Sequence, residues 1–274
     1  MATGNYGTDI WEDFKHGYVP EDELSIHPSV SLHTDTVEDL DPITYEVLRH
    51  RLFTINEEHG DTLTNVSGSP VGKYAKDFQV IILTEDGELV SQGPYVQVFS
   101  AVSDLVAKWI LENRSANPGI EPGDVFLSND PWIGSTHQPD VFVLCPVFVD
   151  GEIFCWVVNA LHQADIGGVN PGSFCPDAEN VFEEPYPIPP VKIAEGGQVR
   201  EDIRQLYMRN SRLPKVVGLD LSAQLAGINV ARNRVNEIVD EYGAETVKAT
   251  MNKMIDDAET KFLDKLDTIP DGTW

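Results

Sequence analysis

Residues 129–168 read NDPWIGSTHQPDVFVLCPVFVDGEIFCWVVNALHQADIGG, and this stretch decides how the chain folds. It contains two runs rich in β-branched and aromatic residues, VFVLCPVFV (141–149) and EIFCWVVNA (152–160), separated by Asp150-Gly151. Asp-Gly between two such runs is typical of a β-hairpin with a two-residue turn. The sequence therefore predicts one long hairpin in which Val149 pairs with Glu152.

The polar residues of this stretch fall at the open end of the hairpin. The predicted register places Pro139 opposite His162, so that His137, Asp140 and His162 gather at one point. Two neutral imidazoles and one carboxylate are a common ligand set for a divalent metal with open positions. A strictly regular hairpin would point Asp140 away from both histidines, so the segment STHQPD must be irregular, as its proline favours. The alternative is that these residues only cap strand ends.

Other local patterns predict an α/β fold in which β-hairpins and a mixed sheet pack against long helices. Asp41-Pro42 provides an N-cap and a proline at the first helical position, and an apolar stripe from Ile43 and Val47 continues to about Val66. FQVIILT (78–84) and ELVSQ (88–92) predict a second hairpin. The other predicted elements are helices at 99–113, 200–210, 219–239 and 244–266, and strands within 123–130 and 191–193.

The chain divides into an arm and a domain. Residues 1–40 are polar and acidic, and their aromatic residues Trp11, Phe14 and Tyr18 follow no period. We expect an extended N-terminal arm that needs another surface to pack on, followed by one domain over residues 41–274.

Two segments frame the hairpin mouth. Asn129 and Asp130 precede it, and we expect them to fix a turn through hydrogen bonds from side chain to backbone. A proline-rich loop follows from Gly168 to Pro190, and its aromatic residues either line a cleft or wrap over the sheet.

Composition limits the function. The chain has 19 Lys and Arg against 45 Asp and Glu, a net charge of −26, which argues against nucleic acid or an anionic membrane as a partner. The sequence shows neither an apolar run near the length of a membrane span nor a signal-peptide pattern, so we expect a cytoplasmic location. The sequence contains no GxxxxGK[ST] or GxGxxG motif, so we do not expect this chain to bind ATP through a familiar phosphate-binding loop.

The three cysteines are interpreted as structural. Cys145, Cys155 and Cys175 form no CxxC pair. A disulfide between the first two is geometrically conceivable because the hairpin places them nearly opposite each other, but buried thiols are expected.

The series SNDPWIGSTHQPD (128–140), ALHQADIGGVNPGS (160–173) and IPPVKI (188–193) resembles the hydantoinase B family. That family includes one subunit of acetone and acetophenone carboxylases, and the resemblance covers roughly Asp41 to Trp274. In acetone carboxylases an HPxD motif and a later histidine hold a catalytic metal. The matching positions here are His137, Asp140 and His162.

The resemblance implies a metal-bearing subunit of an ATP-dependent, biotin-independent ketone carboxylase. A divalent metal would polarise the ketone or stabilise its enolate. Zinc or manganese is the preferred candidate, and iron is the next. ATP would be bound by a hydantoinase A-like partner in a hetero-oligomer. Asp165, three residues after His162, is the candidate catalytic carboxylate, either supporting the metal ligands or acting as a general base.

Two alternatives remain open at this point. ALHQAD (160–165) is close to the AHHAD of hydantoinases, which predicts a subunit of an ATP-dependent hydrolase for hydantoins, oxoproline or other cyclic amides. The third hypothesis is a non-catalytic scaffold. Members of the family usually extend several hundred residues further, so we also expect a split subunit or a piece of a longer chain, in an obligate complex.

Overall fold

A seven-stranded sheet forms the middle layer of the molecule, in a computed structural model that describes residues 17–270 and residue 272. The strands are β1 (Phe78–Thr84), β2 (Leu89–Gln92), β3 (Val125–Ser128), β4 (Asp140–Val149), β5 (Glu152–His162), β6 (Val191–Glu195) and β7 (Gln198–Val199). The α-helices are α1 (Pro42–Val66), α2 (Ser103–Arg114), α3 (Glu201–Arg209), α4 (Pro214–Tyr242) and α5 (Ala244–Leu266). The strand order is β2-β1-β5-β4-β3-β6-β7, and every neighbouring pair is antiparallel.

Helices α1, α4 and α5 cover one face of this sheet. Val141, Val143 and Val157 point to that side, where they join a buried cluster that includes Leu52 of α1 and Leu221 of α4. Because side chains alternate along a strand, these positions share one face of β4 and β5. The two long helices α1 and α4 lie against each other on that face.

The opposite face is covered by α2 and by part of the N-terminal arm. Phe142 and Trp156 point to this side and pack with Ile110 of α2. Leu32 forms a parallel bridge with Ile153, so residues 17–40 pack on the same chain rather than standing free. The expected arm residues Trp11 and Phe14 lie outside the described residues.

The predicted α/β class and its long helices are confirmed, as are both hairpins. Over residues 17–270 the sheet is antiparallel throughout rather than mixed, because no helical crossover joins two neighbouring strands. Asp41 Oδ2 accepts a hydrogen bond from Thr44 N at 2.8 Å and caps α1, as expected. The predicted stripe on α1 was wrong at its start, because Ile43 and Val47 are 76% and 41% exposed. Tyr45 and Leu48 take their place, since contact with α4 decides how α1 is rotated.

Two boundaries differ from the sequence prediction. Helix α4 begins at Pro214, five residues early, because proline is favourable in the first turn. Helix α2 begins at Ser103, since residues 97–99 form a separate 3₁₀ turn. No helix within the described part of the chain is both long and apolar enough to cross a membrane.

The cysteines are buried and unpaired, as expected. The hairpin places Cys145 opposite Val157 and Cys155 opposite Val147, so the two thiols are not strand partners. Burial raises the pKa of Cys145 to about 11 and that of Cys155 to about 12, so neither is a thiolate near neutral pH.

Candidate metal centre

The three predicted ligand residues meet at the open end of the β4–β5 hairpin. Asp140 is the first residue of β4 and His162 is the last residue of β5. His137 lies in the turn before β4, which is closed by a 3.0 Å hydrogen bond from Asp140 N to His137 O. The structure thus brings together residues that are up to 25 positions apart in sequence.

A β-bulge sets the register that makes this meeting possible. Val149 pairs with Glu152, as predicted, but Val147 pairs with Cys155, so Phe154 is an extra residue on β5. From there to the open end, Asp140 rather than Pro139 lies opposite His162. The predicted register was therefore wrong by one residue. Because directly opposed residues share a face, the bulge puts the Asp140 carboxylate beside the His162 ring.

Three donor atoms converge on one point. His137 Nε2 lies 3.1 Å from His162 Nδ1 and 3.0 Å from Asp140 Oδ1, and His162 Nδ1 lies 2.9 Å from Asp140 Oδ1. An ion about 2.1 Å from each of three donors, at right angles, holds them about 3.0 Å apart. Among the described residues, these three form a group of side chains able to hold a metal ion together. The donor set fits a divalent metal.

Hydrogen bonds keep the Asp140 carboxylate charged although it is buried. Burial raises its pKa, but hydrogen bonds from His137, His162 and Thr136 outweigh that effect and lower the pKa below its usual value. Thr136 Oγ1 donates to the second carboxylate oxygen, which leaves Oδ1 for the imidazoles. The hydrogen bond to Asp140 in turn raises the pKa of His137.

A family model for hydantoinase B/oxoprolinase matches residues 41–274. The chain belongs to the hydantoinase B/oxoprolinase family.

Similar proteins include two whose sequences resemble this hydantoinase B chain along most of its length. Caprolactamase subunit beta from Pseudomonas jessenii is 33% identical over 233 residues, 85% of this chain and 40% of that subunit. The acetophenone carboxylase delta subunit from Aromatoleum aromaticum is 29% identical over 248 residues, 90% of this chain and 36% of that subunit. The chain thus spans well under half the length of these relatives.

Solved structures of the family share the fold. The crystal structure of the ATP-dependent caprolactamase from Pseudomonas jessenii superposes with a TM-score of 0.78 at 32% identity, covering 86% of this chain and 40% of that chain. The nucleotide-free acetone carboxylase superposes with a TM-score of 0.76 at 26% identity, covering 78% of this chain and 28% of that chain.

Asp77, which no sequence motif singles out, also lies next to His162. Strand β1 pairs with β5, and His162 N donates to Asp77 O at 3.0 Å. The Asp77 carboxylate lies 4.0 Å from His162 Nδ1, and burial raises its pKa. Its position directly before β1 was visible in the sequence, but the order of strands was not.

Asp165 lies outside the group of three candidate ligands. Its carboxylate accepts hydrogen bonds from the backbone of Gly167, Gly172 and Arg212, and it forms a 3.0 Å ion pair with the Arg212 guanidinium. Burial raises the pKa of Asp165, but these hydrogen bonds outweigh it and lower the pKa. A carboxylate held by so many donors is a weak base, so the geometry favours a role in shaping the loop at 166–172.

Asn129 and Asp130 fix the backbone around the centre, as predicted. Asn129 Nδ2 donates to Gln138 O at 2.8 Å, and its Oδ1 accepts from Ile188 N at 2.7 Å. Asp130 Oδ1 accepts from Trp132 N at 3.0 Å. Asn129 thus ties the ligand-bearing turn to the end of the proline-rich loop.

The proline-rich loop borders a cleft of about 560 Å³. Phe182, Glu184 and Tyr186 line it together with Arg209 from the end of α3. The pKa of His137 is raised mainly by Asp140, and the negative charges of Asp77 and Glu184 add to that effect. Of the two expectations for the loop, lining a cleft agrees with these positions.

Proposed function

We propose that this chain is the metal-bearing subunit of an ATP-dependent, biotin-independent enzyme that activates a carbonyl group, and that its reaction is the carboxylation of a ketone. The observation that carries the proposal is the convergence of His137 Nε2, His162 Nδ1 and Asp140 Oδ1, each 2.9–3.1 Å from the other two. Similarity to an acetone carboxylase and to an acetophenone carboxylase subunit supports the reaction.

His137, Asp140 and His162 would hold a divalent ion, zinc or manganese in first place and iron in second. When bound, such an ion supplies Lewis acidity to a carbonyl oxygen and so eases removal of a proton from the adjacent carbon. Without an ion, hydrogen bonds from His137, His162 and Thr136 keep Asp140 charged; with an ion bound, the two imidazole nitrogens would direct their lone pairs to it, and Thr136 would still donate to Asp140 Oδ2. The His137 side chain is 37% exposed, so the donor set is open to a substrate from that side.

Two carboxylates outside the ligand set have proposed supporting roles. Asp77, on the far side of His162, would provide a second negative charge close to the ion. Asp165 would act as a positioning residue by holding Arg212 and the loop at 166–172 against the cleft. An Asp165→Asn variant would then lose activity while its metal content stays that of the wild type.

We further propose that ATP is bound by a hydantoinase A-like partner in a hetero-oligomer. The sequence has no familiar phosphate-binding motif. The second half of α5 carries exposed apolar side chains, Phe262, Leu263 and Leu266, which are suited to contact with another polypeptide. Native mass spectrometry after co-expression with the partner should give a stoichiometric complex. ATP turnover by this chain alone would contradict the proposal that a partner binds the ATP.

Hydrolysis of a cyclic amide is the second candidate reaction. It is favoured by the 33% identity to caprolactamase subunit beta, slightly above the 29% to the acetophenone carboxylase subunit. Both reactions begin at a carbonyl, so product analysis must separate them. With ATP and labelled bicarbonate, a ketone carboxylase yields a labelled β-keto acid, whereas an amide hydrolase opens a lactam, hydantoin or oxoproline ring without retaining label in the product.

Metal analysis tests the common part of both candidates. Plasma emission on the purified complex should find one equivalent of a transition metal in the wild type and in His50→Ala, which changes an exposed histidine on α1. The same metal should be absent from His137→Ala. A wild type without metal would favour the scaffold hypothesis, as would full activity in an assembled His162→Asn complex.

A further inference from the structure

Gln224 of α4 bridges the two strands that carry the candidate ligands. Its Nε2 donates to Val141 O at 2.8 Å, and Val141 directly follows Asp140. Its Oε1 accepts from Gln163 Nε2 at 3.3 Å, and Gln163 directly follows His162. All of these groups are buried. One side chain therefore contacts both strand ends, one residue away from each ligand.

Gln224 lies on the opposite face of the sheet from the candidate metal centre. Val141 and Asn159 point towards α1 and α4, whereas Phe142 and Ala160 point towards α2. Because faces alternate, Asp140 and His162 belong to the α2 side. Gln224 touches neither ligand, so any effect on them passes through the strand backbones.

The β4–β5 ladder ends at this point. Asp140 and His162 form the last pair of the β4–β5 ladder, and one further hydrogen bond, from Gln163 N to Pro139 O at 2.8 Å, follows it. Pairing of β4 with β3 has already stopped at Phe142. Val141 lies opposite Leu161 within the ladder, and Gln224 Nε2 binds Val141 O as a further donor, from the α4 side of the sheet.

A buried network fixes Gln224 itself. Its Nε2 also donates to Asn159 Oδ1 at 3.1 Å, while Asn159 Nδ2 donates to Gln224 O at 3.0 Å and contacts His59 Nε2 at 2.9 Å. Gly227 allows α1 to come this close, since a Cβ there would lie 2.6 Å from His59 Cδ2. The network joins α1, α4 and β5 and leaves Gln224 little freedom.

We infer that Gln224 is a positioning residue that holds Asp140 and His162 at ligand spacing from behind the sheet, and so raises the affinity of the centre for its metal. The inference rests on the proposed metal-binding function. A metal site requires its donors to be held within a few tenths of an ångström, and residues that orient ligands typically change affinity by about 10- to 100-fold.

The test compares the affinity of three variants of the full chain for Zn²⁺, by competition with a fluorescent chelator. Gln224→Met keeps the volume but removes every hydrogen bond of the amide, and it should weaken Zn²⁺ binding by about 10-fold or more. Asn56→Ala is the control, because it removes a buried hydrogen bond between α1 and β2 that does not reach the ligand strands. It should bind Zn²⁺ as the wild type does.

Activity provides a second readout. If Gln224 acts only by positioning, activity of the Gln224→Met complex should recover towards that of the wild type at saturating metal. A variant damaged in its fold would not recover. Gln163→Met removes the hydrogen bond to Gln224 next to His162, together with a longer one to Leu161 O at 3.4 Å, and leaves the bond between Gln224 and Val141. It should weaken Zn²⁺ binding by a smaller factor than Gln224→Met.

Two outcomes lead to different conclusions. A wild type that does not bind Zn²⁺ contradicts the proposed function itself. A wild type that binds Zn²⁺, with an affinity unchanged within about twofold in Gln224→Met, overturns the inference and leaves the function in place. If Gln224→Met does not fold, an unchanged Zn²⁺ affinity in Gln163→Met overturns the inference instead.

Discussion

Asp140 Oδ1 lies 2.9 Å from His162 Nδ1 and 3.0 Å from His137 Nε2, so its charge acts on both rings. The Asp140→Asn variant keeps the shape of the side chain and removes the charge. Because the hydrogen bond to Asp140 is the main cause of the raised pKa of His137, that pKa should fall in the variant. NMR titration of the histidine rings in the metal-free protein measures the pKa of His137 in both proteins.

The control is the His50→Ala variant, which changes an exposed histidine on α1 and leaves the contact between Asp140 and His137 in place, so the pKa of His137 should stay that of the wild type. A pKa of His137 that stays unchanged in Asp140→Asn would mean that the contact between the two side chains does not form in solution.

His59 is the buried residue whose protonation should limit stability in acid. Burial lowers its pKa from 6.5 to about 3. Below pH 6.5 the unfolded chain therefore takes up a proton that the folded chain does not, and the free energy of unfolding falls. Between about pH 7 and about pH 5 this single group should remove roughly 2 kcal/mol.

Urea unfolding of the wild type and of His59→Gln tests this expectation. Glutamine can still accept from Asn159 Nδ2 but takes up no proton, so the variant should lose roughly 2 kcal/mol less than the wild type over the same pH interval. Equal losses in the two proteins would show that His59 is not buried in the neutral form.

At the scale of elements, the bulge in β5 decides where the candidate ligands His137, Asp140 and His162 meet. The extra residue, Phe154, has its carbonyl bonded to Lys248 Nζ of α5 instead of a strand partner. Lys248 also forms a buried ion pair with Glu85 in the β1–β2 turn. A helix on one side of the sheet thus stabilises the irregularity on which the register depends.

Replacing Lys248 with methionine should destabilise the fold by about 3–5 kcal/mol, because Glu85 then loses its buried partner. Lys253→Met on the same helix is the matched control. Its ion pair with Asp257 is exposed, so its removal should change the free energy of unfolding by less than about 0.5 kcal/mol. Chemical denaturation compares the two.

A Lys248→Met variant as stable as Lys253→Met would mean that the buried pair does not support the bulge. The double variant Lys248→Met/Glu85→Gln should be more stable than Lys248→Met alone, since it no longer buries an unpaired charge.

For the whole molecule, the charge of −26 should make stability depend on salt. Acidic residues outnumber basic ones 45 to 19, so repulsion between carboxylates exceeds attraction over the chain as a whole. Raising the ionic strength from about 0.01 M to about 0.5 M shortens the screening length from about 30 Å to a few ångströms and weakens that repulsion. Calorimetry should therefore show a higher melting temperature in high salt, equally in NaCl and KCl.

A melting temperature that falls with salt would mean that surface ion pairs, such as Arg51 with Glu241, stabilise the fold by more than the repulsion between carboxylates destabilises it. The same measurement on the proposed hetero-oligomer should show a smaller effect if a partner covers part of the acidic surface.

The sequence by itself determined the local elements and the chemistry of the ligands. Asp150-Gly151 predicted the central hairpin, and Asp41-Pro42 predicted the start of α1. Histidine and aspartate at the hairpin mouth predicted the donor set that the structure brings together. These features depend on turn conformation, capping and side-chain type, which act between residues close in the chain.

Only the tertiary structure decided the register and the surroundings of the centre. The bulge at Phe154 depends on Lys248 from another element, and Asp77 reaches His162 because β1 happens to pair with β5. Gln224 reaches both ligand strands for the same kind of reason, since α4 packs across them. Contacts of this kind join residues far apart in sequence, and their geometry depends on how both faces of the sheet pack, which no local pattern encodes.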